Sequence, residues 1–247
     1  MKRSVKFIMI TFIVSWILWL PAVLNKYFFI PDGLLLFGMF ANTVPSIVGI
    51  FFMNKYHKGW YKNKLKVKIN WMIALTIIVY IPLQGLVSYL LTKGIDTNYT
   101  ENIQWSSVML FLPILFIGGP LGEEFGWRGF LQDALTEKNM FRGTLILGLV
   151  WSLWHLPLFF IEGTVQSHIP FLQFMLQNTL FAFYYTWFYN RTHGSIIWMI
   201  IFHTVANVSA AMFPYWQSAI GRWIGFIMLL ICYLLLPKRE KRLGDVK

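Results

Sequence analysis

Two adjacent carboxylates, Glu123 and Glu124, follow 21 consecutive residues without a charge, Asn102 to Gly122. Arg128 comes four positions after Glu124, within the stretch LGEEFGWRGF. Two histidines stand in other apolar stretches: His155 in WSLWHLPLFF, and His203 in IIFHTVANVS with Asn207 four positions on. These groups carry protons and stabilise anions. Residues four apart share a helix face, so Arg128 can pair with Glu124. Glu123 is turned about 100° away and does not share that partner. One carboxylate anchored by a cation and one left in apolar surroundings is the arrangement a general base requires. His203 and Asn207 also share a face and can point hydrogen-bond donors at one spot, as an oxyanion site needs. Gly118, Gly119 and Pro120 precede the pair. If a helix restarts at Pro120, both glutamates fall in its first turn, within reach of its dipole.

The elements that must position these groups are membrane helices. The chain of 247 residues is 57% hydrophobic and 13% charged, against about a quarter charged in a soluble domain. Apolar segments of spanning length fall at 7–24, 34–53, 71–92, 105–122, 144–161, 170–189, 195–213 and 217–236. Arg222, near the start of the last, can snorkel to the interface. The expected fold is all-α: a single integral membrane domain, residues 1–247, with about eight transmembrane helices. With both termini cytoplasmic, 17 of the 21 Lys and Arg lie inside and three outside, Arg128 aside. This placement accounts for the net charge of +11 by topology and by contact with anionic membrane lipids; no nucleic-acid partner is needed. Residues 1–24 read as a retained helix rather than a signal peptide. The lone Cys232 excludes a disulfide framework.

An ionisable side chain in a spanning helix is expensive and marks function. Asp32, Asp96, Glu101, Glu162, Glu240 and Asp245 fall in loops or tails, and Asp133 and Glu137 at the cytoplasmic interface. His57, His168 and His193 are in loops. Glu123, Glu124, Arg128, His155 and His203 remain in the interior. Taken singly, each has a structural reading: a buried His or Asn as interhelical glue, a Glu–Arg pair as a helix brace. Pro157, two positions after His155, loosens the helix there. The many Trp and Phe are assigned to lipid-facing or interface positions, and Gly126 and Gly129 to close packing.

EEFGWR reads as Glu-Glu-x-x-x-Arg, WSLWH as aromatic-x-x-x-His, and HTVAN as His-x-x-x-Asn. In this order along the chain, they resemble the CPBP family of intramembrane proteases: the type II CAAX prenyl endopeptidases and the bacterial "CAAX protease self-immunity" (Abi) proteins. The resemblance covers roughly residues 105–215, the motif-bearing core, while the helices within 1–92 carry no motif. The second motif usually begins with Phe; here position 151 is Trp, a swap read as keeping an aromatic packing residue.

The resemblance implies endopeptidase hydrolysis of a membrane-associated peptide or protein, near the cytoplasmic side of the membrane. Glu123 and His155 would activate the attacking water. His203 and Asn207 would stabilise the oxyanion. Glu124 and Arg128 would hold the first motif in shape, with Glu124 assisting. The family is often labelled metalloprotease, and a glutamate-only mechanism has also been argued. Two His and a Glu can hold zinc, which makes Glu123, His155 and His203 the candidate metal ligands; there is no His-Glu-x-x-His helix. The cofactor is therefore open between a divalent metal such as zinc and none. The competing reading is an inactive bacteriocin-immunity protein or membrane scaffold acting by binding. A proton-coupled carrier is weaker, for want of an inverted repeat. The abundance of Lys, Ile and Phe points to the plasma membrane of a bacterium with an AT-rich genome, which argues against a prenylated substrate. Lipidated C-termini, bacteriocin leaders and other small membrane peptides stay open as substrates.

Overall fold

The computed structural model describes residues 2–68, 71–101 and 116–237. All regular structure among the described residues is helical. Helix α1, Arg3–Leu24, buries Phe7, Thr11, Ser15 and Trp19 at intervals of four. Its other faces expose Met9, Ile10, Ile13, Ile17 and Leu20. An apolar outer surface of this kind is what lipid, not water, accommodates.

Arg3–Leu24, Trp71–Ile95 (α3) and Met140–Phe160 are long and apolar enough to cross a membrane. The expected 34–53 segment is instead a pair of helices, Asp32–Ala41 and Val44–Tyr56 (α2), bent by 46° at their junction. Pro45 at the start of α2 has no N–H to give the preceding turn, so the ladder breaks there. Counted as one broken span, the pair brings the candidates to four. Most of the expected 105–122 span lies outside the described residues.

Past Met140 the helices follow the expected segments. Helix α5, Met140–Trp154, ends one residue before His155, and a 3-10 turn, Leu156–Phe160, follows with Pro157 in its first positions. Helix α6, Phe171–Arg191, carries Gln173, Gln177, Asn178 and Asn190. Helices α7, Ile196–Met212, and α8, Ala219–Leu235, have 17 residues each. That is about 26 Å of helix, somewhat short of a hydrocarbon core of about 30 Å. Arg222, in the first turn of α8, reaches Gln173 Oε1 at 2.7 Å and the Trp216 carbonyl at 3.0 Å.

The glutamates stand on a continuous helical run, α4, residues 117–136. It is π-helical at Ile117–Leu121 and Phe125–Leu131, and α-helical at Gly122–Glu124 and Gln132–Thr136. The run passes through Pro120 without restarting, so the glutamates sit within it. One cause of the irregularity is visible. Ser46 of α2 donates to the Leu121 carbonyl at 2.8 Å and accepts from the Phe125 N–H at 3.2 Å. Its hydroxyl thus bridges two groups that an α-helical ladder joins directly, as inserted side chains do at kinks.

The same contact brings the two backbones together. A methyl on Gly49 would lie 2.5 Å from the Phe125 carbonyl oxygen, and one on Gly126 would strike the Pro45 carbonyl. A methyl on Gly129 would meet Ile196 Cδ1 and Met53 Cε at 3.0 Å. Both Gly126 and Gly129 are therefore close-packing positions. Beyond the run, Lys64 binds Asp133 at 2.6 Å and contacts the Tyr189 hydroxyl, which itself donates to Asp133 at 2.7 Å. This ties the basic loop after α2 to α4 and α6.

Gly126→Ala is expected to lower stability by about 1–3 kcal/mol, the usual cost of overpacking. Gly33→Ala, whose methyl meets nothing within 4 Å, is expected to leave it unchanged. Thermal unfolding of the two variants in detergent micelles checks the contrast.

Candidate active site

Glu124 and Arg128 are both fully buried. Glu124 Oε1 accepts from Arg128 Nη1 at 3.1 Å, the pairing their spacing predicts, and also from His203 Nδ1 at 2.7 Å. The second bond crosses from α4 to α7. The Arg128 guanidinium carbon lies 3.5 Å from the ring centre of Tyr185 and 4.2 Å from that of Trp151. Arg128 Nε and Nη2 have no hydrogen-bond partner among the described residues. Aromatic rings cover the guanidinium instead, an environment that arginine, being delocalised and weakly hydrated, tolerates. Removing one member of a buried pair of this kind costs about 3–5 kcal/mol.

Glu123 is held differently. Its Oε2 accepts from two indoles, Trp127 Nε1 at 3.2 Å and Trp151 Nε1 at 2.6 Å. Trp127 stands four positions after Glu123, so each glutamate meets its own i+4 neighbour: one an arginine, the other a tryptophan. The remaining oxygen, Oε1, faces Gly119. A methyl on Gly119 would lie 3.9 Å from Glu123 Oε1, 3.8 Å from His203 Nε2 and 3.3 Å from Asn207 Nδ2. A carboxylate oxygen, a ring nitrogen and an amide donor thus converge beside a residue that has no side chain.

The two histidines differ by their Nδ1 partners. His203 Nδ1 faces the Glu124 carboxylate, which only accepts, so Nδ1 carries a proton. Nε2 then donates to the space by Gly119 when the ring holds both protons, and accepts otherwise. His155 caps the end of α5, with Nδ1 2.7 Å from the Trp151 carbonyl oxygen. That oxygen also only accepts, so a neutral His155 has its lone pair on Nε2. The ring packs against Trp154 at 4.7 Å and Phe174 at 5.2 Å. The hydrogen bonds of His155 do not include Glu123; Trp151 is bonded to Glu123 and in ring contact with His155.

All six sequence-derived residues, Glu123, Glu124, Arg128, His155, His203 and Asn207, therefore belong to one neighbourhood, which His155 joins through Trp151, the residue that bonds Glu123 and meets both histidine rings. Among the described residues, no group of three or more His, Cys, Asp and Glu side chains is placed to hold a metal ion. Glu123, His155 and His203 do not meet as the three-ligand set that zinc would need.

The sequence reading missed Gly119, because a glycine announces nothing by type. It also assigned the tryptophans to lipid or the interface. Trp127, Trp151 and Trp154 are instead buried, at 0%, 4% and 0% exposure. The available signal was spacing: Trp127 is four after Glu123, and Trp151 four before His155. Nor does Trp151 merely keep an aromatic ring, since its N–H makes a bond that phenylalanine lacks.

Residues 105–209 match the family model described as Type II CAAX prenyl endopeptidase Rce1-like. All three motifs lie inside that match. CAAX prenyl protease 2 of Methanococcus maripaludis is 25% identical over 249 residues, covering 93% of this chain and 92% of that protein. The resemblance read from the motifs is borne out by both.

Gly119→Ala places a methyl in the space where the three polar atoms converge, with side-chain atoms and no backbone as its nearest contacts. Turnover is expected to fall about 100-fold, as small misplacements at reacting centres produce, with thermal unfolding unchanged. Turnover at the original rate would remove Gly119 from the site.

Proposed function

We propose that this chain, whose motif-bearing half matches the type II CAAX prenyl endopeptidases, is an intramembrane endopeptidase acting on a membrane-associated peptide or protein. The observation that carries the reading is the convergence of Glu123 Oε1, His203 Nε2 and Asn207 Nδ2 on the space beside Gly119. A scissile carbonyl seated there turns its oxygen toward Asn207 and His203. A water on the other side lies against Glu123 Oε1.

The steps follow from the donors and acceptors. Glu123 takes a proton as the water oxygen attacks the carbonyl carbon. The carbonyl oxygen becomes an oxyanion, stabilised by the Asn207 amide and by the His203 ring carrying both protons. Glu124 holds that ring through Nδ1 and is itself held by Arg128. As the C–N bond breaks, the proton on Glu123 passes to the departing amine. His155, with Nδ1 committed to the Trp151 carbonyl, offers Nε2 as an acceptor that helps orient the water. No step here passes through a metal, and a chelator arm in the assay decides whether a divalent ion such as zinc takes part.

In this reading the protein is multi-pass, with about eight spans and cytoplasmic termini. Lys2, Arg3, Lys58 and Lys64 line a cavity of about 750 Å³ on the basic face, where anionic lipid headgroups would meet it. The bacterial source rests on composition alone. The name of the 25% identical relative makes a prenylated C-terminal peptide the first substrate class to test, ahead of bacteriocin leaders. The inactive-scaffold alternative is not favoured, because the complete polar set is retained.

Purified protein in proteoliposomes is expected to cleave a prenylated peptide or a member of a membrane-peptide library. Glu123→Gln and His155→Ala are expected to abolish cleavage while the variants still insert and unfold cooperatively. Asn207→Ala is expected to lower kcat about 100-fold, the loss usual for one oxyanion donor. Cleavage that survives both Glu123→Gln and His155→Ala would overturn the reading.

A further inference from the structure

Trp151, the aromatic that opens the second motif, touches Glu123, Arg128, His155, Tyr185 and His203. Its indole N–H donates to Glu123 Oε2 at 2.6 Å, and its carbonyl accepts from His155 Nδ1 at 2.7 Å. Its ring meets the rings of His155 and His203 edge to face, at 5.9 Å and 5.8 Å between centres. The Arg128 guanidinium lies over the same ring, and Tyr185 packs against it at 5.6 Å. The side chain is 4% exposed.

The two indoles on Glu123 do different work. Trp127 stands on α4 with Glu123, so its bond of 3.2 Å travels with the glutamate and sets nothing relative to the rest of the site. Trp151 stands on α5. Its shorter bond therefore fixes the carboxylate relative to the helix that carries His155. With Oε2 held in this way, Oε1 is the oxygen turned to the space beside Gly119, where His203 Nε2 and Asn207 Nδ2 also point. An indole N–H is a neutral donor: it directs a carboxylate without supplying the opposite charge an arginine brings.

We infer that Trp151 is a positioning residue for Glu123, holding one carboxylate oxygen through its indole N–H so that the other is presented to the water. The inference rests on the endopeptidase reading above. A packing role alone would need the ring and not the N–H, and this difference is what the test separates.

Two variants remove the donor and keep the ring. Trp151→Phe retains a buried aromatic. Replacement of Trp151 by 3-benzothienylalanine, introduced as a non-canonical amino acid, retains the two-ring shape with sulfur in place of N–H. Both are assayed in proteoliposomes beside the unaltered protein, Glu123→Gln and Trp127→Phe. The expected result is a kcat lower by about 10- to 100-fold in both Trp151 variants, the range for losing a hydrogen bond to a charged group. KM is expected to stay within about twofold, since the bond is not made to substrate. The thermal midpoint of the benzothienyl variant is expected to match that of the unaltered protein, and Trp127→Phe to lose less kcat than either. If the benzothienyl variant turns over at the original kcat, the inference is wrong, whatever Trp151→Phe does by disturbing packing. A kcat loss matched by an equal rise in KM, or by a lowered thermal midpoint in the benzothienyl variant, also overturns it. Failure of the unaltered protein to cleave would instead remove the endopeptidase reading, so the two failures are distinct.

Discussion

One buried carboxylate organises the site. Glu124 has no access to water, and a lone carboxylate so deep in an apolar bundle would be prohibitively costly. It is tolerated because Arg128 of the same run and His203 of α7 both donate to one of its oxygens. Arg128 in turn needs cover, which Tyr185 of α6 and Trp151 of α5 supply with their rings. Four helices are thereby fixed about a single charge. The orientation of His203 follows from it: with Nδ1 turned to Glu124, Nε2 must face the other way, toward Gly119 and Asn207.

A second constraint comes from α2, which carries no motif residue. Gly49 and Gly126 let the backbones of α2 and α4 approach until only glycine fits. Ser46 then reaches the ladder of α4 at Leu121 and Phe125, the residues flanking Gly122–Glu124. The glutamates thus stand on a short α-helical step between two π-helical turns, and π-helical turns recur at functional sites. The first half of the chain is more than a membrane anchor here. It shapes the backbone from which the two glutamates project.

These findings divide what the sequence makes legible from what it does not. Local relations are legible. Glu124 with Arg128, and His203 with Asn207, follow from helical spacing alone, and the structure keeps each pair on one face. The apolar segments likewise became helices wherever the described residues cover them. Relations between helices are not legible. Nothing in the spacing joins Glu124 to His203, 79 positions on, or Trp151 to Glu123. Residues read by type were misjudged for the same reason. Tryptophan in a membrane protein suggests the interface, yet three of the tryptophans fill the core around the glutamates. The span count met a further difficulty: apolar runs record hydrophobicity, whereas the break at Pro45 and the 17-residue lengths of α7 and α8 are matters of geometry.

Glu123 and Glu124 are identical in type and adjacent in the chain, so their difference must come from their partners. Glu124 receives a guanidinium and a histidine ring, which complement its charge and lock it in place. Glu123 receives two indoles, which are neutral and confine one oxygen only. On the endopeptidase reading Glu123 collects and returns a proton within each cycle, a task that a bonded cation would oppose and that still requires the carboxylate to be aimed. Two donors without charge on one oxygen meet both demands at once. On that reading the paired acids divide into a fixed post and a working arm: Arg128 and His203 hold Glu124, while the indole of Trp151, reaching across from α5, aims Glu123.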